Sequence, residues 1–380
     1  MTSPLWIDRA EALSSGVSRW RQHGVVGLDT EFVFERTFWP QLGLIQVIAG
    51  EEIALVDAVK IADLTPLASL LEDAGIRKTL HSGSGDVPIL RKATGSAPNP
   101  LFDTQIAAAY CGLGISISYG ALIKELFAVE LPKGETRTDW LRRPLSPEQL
   151  RYAAEDVVHL LAAAAELERR LLAVGRLNWA LEDSAAMVAA SVEPDDPEDR
   201  REAWRRVKGL DRLLPAQRAV ARALAAWRDR EAERLDLARS FLLRDETLLA
   251  LARRAETDLT PIEKLPGYEG RRHAAHTWAW IEALKQAHAQ VAAGTAPPEP
   301  EARAQSKAER ERRKKLDDAI GAAVTRRATE MGLPPELLLS RRQRDRALEA
   351  WGGKGKLSAA LVGYRRELLG EEMDRLVAEQ

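Results

Sequence analysis

Residues 25–32 read VVGLDTEF, a run in which Asp29 and Glu31 stand one residue apart inside an otherwise apolar segment. Side chains alternate along a strand, so Asp29 and Glu31 share one face while Leu28, Thr30 and Phe32 take the other. Two carboxylates held that close in a low-dielectric setting repel by several kcal/mol, and at least one takes up a proton unless a cation lies between them. A divalent metal removes the conflict. A strand end emerging into solvent, with both acids merely exposed, removes it as well, and this stretch alone does not choose.

Further short apolar runs bounded by Gly, acids or turn residues follow: LGLIQVIAG (42–50), EIALVDAV (52–59) and KTLHSG (78–83), with breaks at EDAGIRK and SAPNP. The first three strands are too close in sequence for crossover helices, which predicts an antiparallel meander. Later strands alternate with helices, giving an α/β layer structure. From Ser146 the pattern turns helical: SPEQLRYAAEDVVHLLAAAAELERRLLAVG (146–175) opens with a Ser cap, Pro at the first helical position and Glu next, and stops at Gly175. EPDDPED (193–199) reads as a linker. Beyond residue 210 the sequence predicts a bundle of four or five helices, then a second linker, VAAGTAPPEPEARAQ (291–305), and a last small helical unit.

The chain has 380 residues, 45% of them hydrophobic and 29% charged, and two or three domains are expected. A net charge of −2 gives no global basic field, so nucleic acid would have to be held by local patches or a metal-centred site. The single cysteine, Cys111, excludes an internal disulfide framework and a cysteine-based zinc site and fits a reducing compartment. The start lacks the basic and apolar regions of a signal peptide, and no run reaches the length of a membrane span, so a cytoplasmic protein is expected.

Other residues suited to chemistry lie further along. HSGSGDVPIL (81–90) places His81 at a strand end and Asp86 at a helix start, where an Asp commonly serves as a cap. RYAAEDVVHL (151–160) places Tyr152 and Asp156 four apart, on one helix face. The succession of D-x-E, Asp86 and Y-x-x-x-D resembles the DEDD exonuclease superfamily and its tyrosine subclass; the histidine subclass would carry His where Arg151 stands. KGETRTDWLRRPLSPEQLRYAAEDVVHL (133–160) is similar to the corresponding stretch of ribonuclease D, and WRRVKG (204–209) with residues 215–252 resembles the linker and HRDC domain that follow the nuclease in that family. Two departures stand out: Gly85 where relatives commonly carry Glu, and Thr138 where Ser is common.

The resemblance implies a ribonuclease H-like α/β nuclease domain, a mixed sheet flanked by helices, over 1–190, followed by two all-α helical bundles. These are an HRDC domain at 210–292, between linkers 191–209 and 293–306, and a degenerate HRDC-like unit at 307–380. It implies that Asp29, Glu31, Asp86 and Asp156 bind two divalent ions, Mg²⁺ or Mn²⁺, which suit hard oxygen ligands, and that Tyr152 orients the attacking water. The implied activity is 3′–5′ exoribonucleolytic release of nucleoside 5′-monophosphates from RNA, tRNA precursors above all, by a monomer. A DNA 3′–5′ exonuclease and a catalytically silent nucleic-acid binder are the alternatives.

His81, Lys133, Arg142 and Arg143 are candidates to contact substrate phosphates. Asp103 is expected to cap a helix, Asp57 to be a strand-end or supporting residue, and His159 to pack within its helix. Trp140, Trp227, Trp278 and Trp280 are expected to pack in the core. RERRKK (310–315), interleaved with acids, is expected to form a solvated helix face, with RNA contact as the sharper reading.

Overall fold

A computed structural model describes residues 3–132, 138–191, 203–254, 261–297, 307–352 and 354–379. The chain divides into two compact units: 1–32, 42–192 and 305–380 form one, and 33–41 with 193–304 form the other.

The first unit is built on a six-stranded mixed sheet of β1 (Leu5–Ile7), β2 (Val25–Val33), β3 (Gln41–Ala49), β4 (Glu52–Asp57), β5 (Arg77–Leu80) and β6 (Leu101–Asp103), in the order β1-β4-β3-β2-β5-β6. The meander expected from the short spacings is present as β2-β3-β4, with Ile45 paired to Val56 and Val47 to Ala54 in an antiparallel ladder. β5 runs parallel to both β2 and β6, and β1 adds a short parallel edge to β4 that its three residues did not announce. Alternation divides the sheet faces. Val26, Leu28, Ile45, Val47, Ala54 and Val56 join Leu13, Val17 and Trp20 of α1 (Ala10–Trp20) in one buried core, which also takes up Leu70 and Leu71 of α2 (Ala68–Leu71) and Val87 and Leu90 of α3 (Asp86–Thr94).

The other face is covered by α6 (Pro147–Val158) and α7 (Leu160–Ala173), which follow α4 (Thr104–Tyr110) and α5 (Tyr119–Phe127). Ser146 caps α6 as expected: it accepts from Gln149 N at 3.2 Å while the Gln149 side chain accepts from Ser146 N at 2.9 Å. The single long helix expected from 146 to 175 is instead two, broken at His159, whose φ and ψ of −102° and 0° leave the helical range. Gly175 ends α7 at a positive φ of 69°, which a glycine adopts without strain. α8 (Leu177–Ala190) closes this part of the unit.

The last helices, α14 (Lys307–Glu330), α15 (Pro335–Leu339), α16 (Arg341–Trp351) and α17 (Gly363–Ala378), do not stand apart. Leu316, Ile320, Val324 and Ala328, spaced by four along α14, share one buried core with Tyr110 of α4, Leu122 of α5, Leu167 and Leu171 of α7 and Ala180 of α8. Polar contacts cross the same contact surface: Arg365 grips Asp183 through both carboxylate oxygens at 2.6 and 2.9 Å, Tyr110 donates to Asp183 at 2.5 Å, and the Tyr364 ring stacks on Trp179 with centroids 4.7 Å apart. The basic run Arg310–Lys315 lies at the solvated start of α14.

The second unit holds α9 (Pro215–Arg234), α10 (Arg239–Leu242), α11 (Asp245–Ala252), α12 (Gly270–His273) and α13 (Thr277–Ala292), with no strand among its described residues outside the ends of β2 and β3. Its core gathers Val220, Leu224, Leu248, Leu251 and Trp280, with Trp227 partly buried against it. Trp278 departs from expectation. It is 73% exposed, because positions two apart on a helix face nearly opposite ways and Trp280 takes the core side. Asp236 accepts from Phe38 N and Trp39 N at 3.2 and 3.3 Å, and the Arg239 guanidinium stacks 4.2 Å from the Phe38 ring centroid, which ties residues 33–41 into this unit.

Candidate active site

β2 delivers Asp29 and Glu31 to the sheet face beneath α6, and α6 brings Tyr152 and Asp156 down onto the same place, one helical turn apart. The carboxylates of Asp29, Glu31 and Asp156 each offer an oxygen, and these oxygens all lie within 4.8 Å of one another. Asp86, the first residue of α3, arrives on the side of the sheet where Leu28 and Thr30 point, and the Thr30 hydroxyl donates a short hydrogen bond to it. Alternation had placed Thr30 on that face, but its bond to Asp86 was not foreseen. The signal was available: a polar residue between two acids in an apolar strand requires a buried partner.

Burial raises all four carboxyl groups, and the neighbouring charges add to the shift of the two strand acids, Asp29 and Glu31. Asp29 is pushed well above the carboxylate range, by burial first and then by the charges of Asp86, Asp156 and Glu31. Burial, with Asp156 and Asp86 behind it, raises Glu31 to about 8. Asp156 is raised to about 7 by burial, against a lowering hydrogen bond from Tyr152, and Asp86 to about 6 by burial, against the hydrogen bond from Thr30. At 4.8 Å and an effective dielectric near 20, each like-charged pair repels by about 3 kcal/mol. The cluster therefore holds protons at neutral pH or binds positive charge. An all-oxygen set of this kind fits a hard divalent cation, which relieves the repulsion without protonation. Among the described residues Asp29, Glu31 and Asp156 are the sole group of three or more His, Cys, Asp or Glu side chains arranged to hold a metal ion, and Asp86 stands outside that group.

Trp140, fully buried, packs against Tyr152 with ring centroids 6.2 Å apart, so the tryptophan of the DW pair anchors the tyrosine as a packing residue. Asp103 is a helix cap, accepting from Gln105 N and Ile106 N at 2.8 and 3.0 Å and from Gly83 N at 2.7 Å.

Two of the residues expected to contact phosphate are engaged inside the fold. Arg143 places Nε and Nη2 on the two oxygens of Asp57 at 2.9 and 2.7 Å and also reaches the carbonyls of Gly43, Trp140 and Arg142, so its guanidinium is consumed inside the fold. The pairing follows from Asp57, which is wholly buried at the end of an apolar strand and requires a cation. His81 has both ring nitrogens engaged, with Thr104 Oγ1 at 2.9 Å and the Ile117 carbonyl at 3.1 Å, and burial lowers its pKa. In this arrangement both ring nitrogens already have partners within the fold. Arg142 is exposed in the turn before α6. Lys133 lies outside the described residues.

This sheet, with an acid cluster between β2, α3 and α6, defines a 3′–5′ exonuclease: the family of that description matches residues 4–172, and the HRDC domain family matches residues 217–284. The chain belongs to the ribonuclease D family. It is 39% identical to ribonuclease D of Pseudomonas paraeruginosa over 97% of this chain and 96% of that one, and 37% identical to ribonuclease D of Escherichia coli K12 over 98% of each. The crystal structure of Escherichia coli RNase D, described as an exoribonuclease involved in structured RNA processing, superposes with a TM-score of 0.87 at 35% identity, covering 99% of both chains. Among the described residues no helix is long and apolar enough to cross a membrane.

Proposed function

We propose that Asp29, Glu31, Asp86 and Asp156 hold two divalent cations, Mg²⁺ or Mn²⁺, and that the chain hydrolyses the 3′-terminal phosphodiester of RNA, trimming tRNA precursors and releasing nucleoside 5′-monophosphates. The observation that carries this reading is the meeting of the β2 and α6 carboxylates within 4.8 Å, with each acid displaced upward by burial in that setting. The chemistry such ions supply when bound is Lewis-acid charge, which eases deprotonation of a water and offsets charge building on the phosphate oxygens.

The protein's own part is placement. Asp29 and Glu31 are fixed by the strand, Asp156 by the helix, and Asp86 by Thr30, so four ligands are set before substrate arrives. Tyr152, held against Trp140 and one turn from Asp156, orients the attacking water through its hydroxyl. Burial keeps that phenol protonated across the working pH range, so it acts by hydrogen bonding and not as a base. Arg142, exposed before α6, meets a phosphate of the incoming strand. The HRDC domain and the helices of 307–380, read as a degenerate HRDC-like unit, grip the RNA body while a single-stranded 3′ end enters the carboxylate site. The enzyme acts as a cytoplasmic monomer.

Incubating the full chain with Mg²⁺ or Mn²⁺ and RNA or DNA of one sequence, and identifying the products by mass, tests the reading. Nucleoside 5′-monophosphates from RNA support it. Faster release from DNA would replace it with a DNA exonuclease, and no release under either metal would point to a silent binder.

A further inference from the structure

Gln46 is wholly buried in the middle of β3, and among the described residues neither its amide nitrogen nor its carbonyl oxygen has a hydrogen-bond partner. A buried primary amide left unpaired is unfavourable and calls for an explanation, and its neighbours along β3 on the same face, Leu44 and Ile48, are apolar and buried.

Its position supplies the explanation. A Cβ added at Gly27 would meet the Ile48 side chain, so Gly27 and Ile48 lie side by side on one face of the sheet. β3 follows β2 after only residues 34–40, which is too short for a parallel crossover, so the two neighbouring strands are antiparallel. Counting two residues along each strand from that contact brings Gln46 beside Asp29, on the face that α6 covers. On its other side Gln46 pairs with Leu55, which offers no polar side chain. The nearest polar neighbour of Gln46 across the strands is thus the Asp29 carboxyl group, with Glu31 one step further along the same face of β2.

We propose that Gln46 is a positioning residue of the carboxylate site: its amide N–H donates to the Asp29 carboxylate when a divalent cation is held there, and so keeps that side chain in place as a ligand. The inference rests on the reading of Asp29 as a metal ligand. Groups that hold and orient a metal's ligands typically change metal affinity about 10–100-fold when removed, whereas an amide serving only the fold would change stability instead.

The test uses the full chain as Gln46→Met and Gln46→Leu, both close in size and without hydrogen-bonding groups, beside Asp29→Asn. Two quantities are measured: the thermal midpoint in EDTA, and Mn²⁺ affinity by titration with electron paramagnetic resonance of the free ion. The expected result is a metal-free midpoint equal to or above that of the native chain for Gln46→Met, with Mn²⁺ affinity about 10-fold weaker. Native-like Mn²⁺ affinity in either folded variant overturns the proposal. Loss of the fold in both also overturns it, since the amide would then serve the core. If Asp29→Asn binds Mn²⁺ as the native chain does, the reading of Asp29 itself fails, separately from the role of Gln46.

Discussion

Asp29 is pushed well above the carboxylate range by burial and by the acids around it, so removing its charge affects stability and activity in opposite directions. Asp29→Asn is expected to abolish exonuclease activity while raising the metal-free thermal midpoint, by about 2–4 °C for each kcal/mol of repulsion relieved; differential scanning fluorimetry in EDTA reads this directly. The same physics sets a pH dependence. Glu31 titrates near 4.5 in the unfolded chain and about 8 in the fold, Asp156 near 3.8 and about 7, and Asp86 near 3.8 and about 6. Between those values the fold keeps protons that the unfolded chain has released, so the metal-free stability falls as pH rises from about 3.8 to about 8. Cations compete with those protons, so the rise in midpoint caused by Mg²⁺ is expected to be larger at pH 8 than at pH 6; a pH-independent rise would argue against these acids as ligands. Tyr152→Phe keeps the ring on Trp140 and removes the hydroxyl, and a fall in kcat of about 100-fold with KM and thermal midpoint little changed is expected. The pair Asp29–Glu31 and the Tyr152–Asp156 spacing were legible because they follow the periods of strand and helix. The Thr30–Asp86 bond was not, since it joins two elements that only the folded sheet brings together.

At the scale of elements, the turn before α6 separates two neighbouring arginines into different roles. Arg143→Ala would strand the buried charge of Asp57 and is expected to destabilise the fold by about 3–5 kcal/mol without changing KM for RNA. Arg142→Ala is expected to raise KM and leave the thermal midpoint alone; steady-state kinetics with denaturation curves for both variants separates the two. Sequence treated the arginines alike because both are basic residues in a loop, and what distinguishes them is a partner on β4, 86 residues away. The capping box of α6 could be read in advance since it is local. The break at His159 could not, because no Gly or Pro marks it, whereas the outward turn of Trp278 was legible in its spacing of two from Trp280, which bars both from one helix face.

For the whole molecule, the decisive feature that periodicity did not reveal is the core shared by α14–α17 with α4, α5, α7 and α8. A stripe at 316, 320, 324 and 328 is a helix face seeking a partner, but nothing in it says that the partner lies some 150–200 residues upstream. A chain ending at residue 304 would leave Tyr110, Leu167, Leu171 and Ala180 facing water, and it is expected to lose cooperative unfolding and to bind hydrophobic dyes; a sharp thermal transition with native activity would contradict that. The antiparallel meander, the helical second unit and the order of the four acids were all legible, since each rests on local pattern or on order along the chain. The central claim is that these acids form one metal-dependent site digesting RNA from its 3′ end. It is tested most directly by a time course on a 3′-extended tRNA labelled at its 5′ end, with Mg²⁺ or EDTA, using the native chain and Asp29→Asn. A stepwise ladder shortening from the 3′ end, lost with EDTA and with Asp29→Asn, is expected, whereas shortening that survives Asp29→Asn would overturn the assignment of Asp29 to the site.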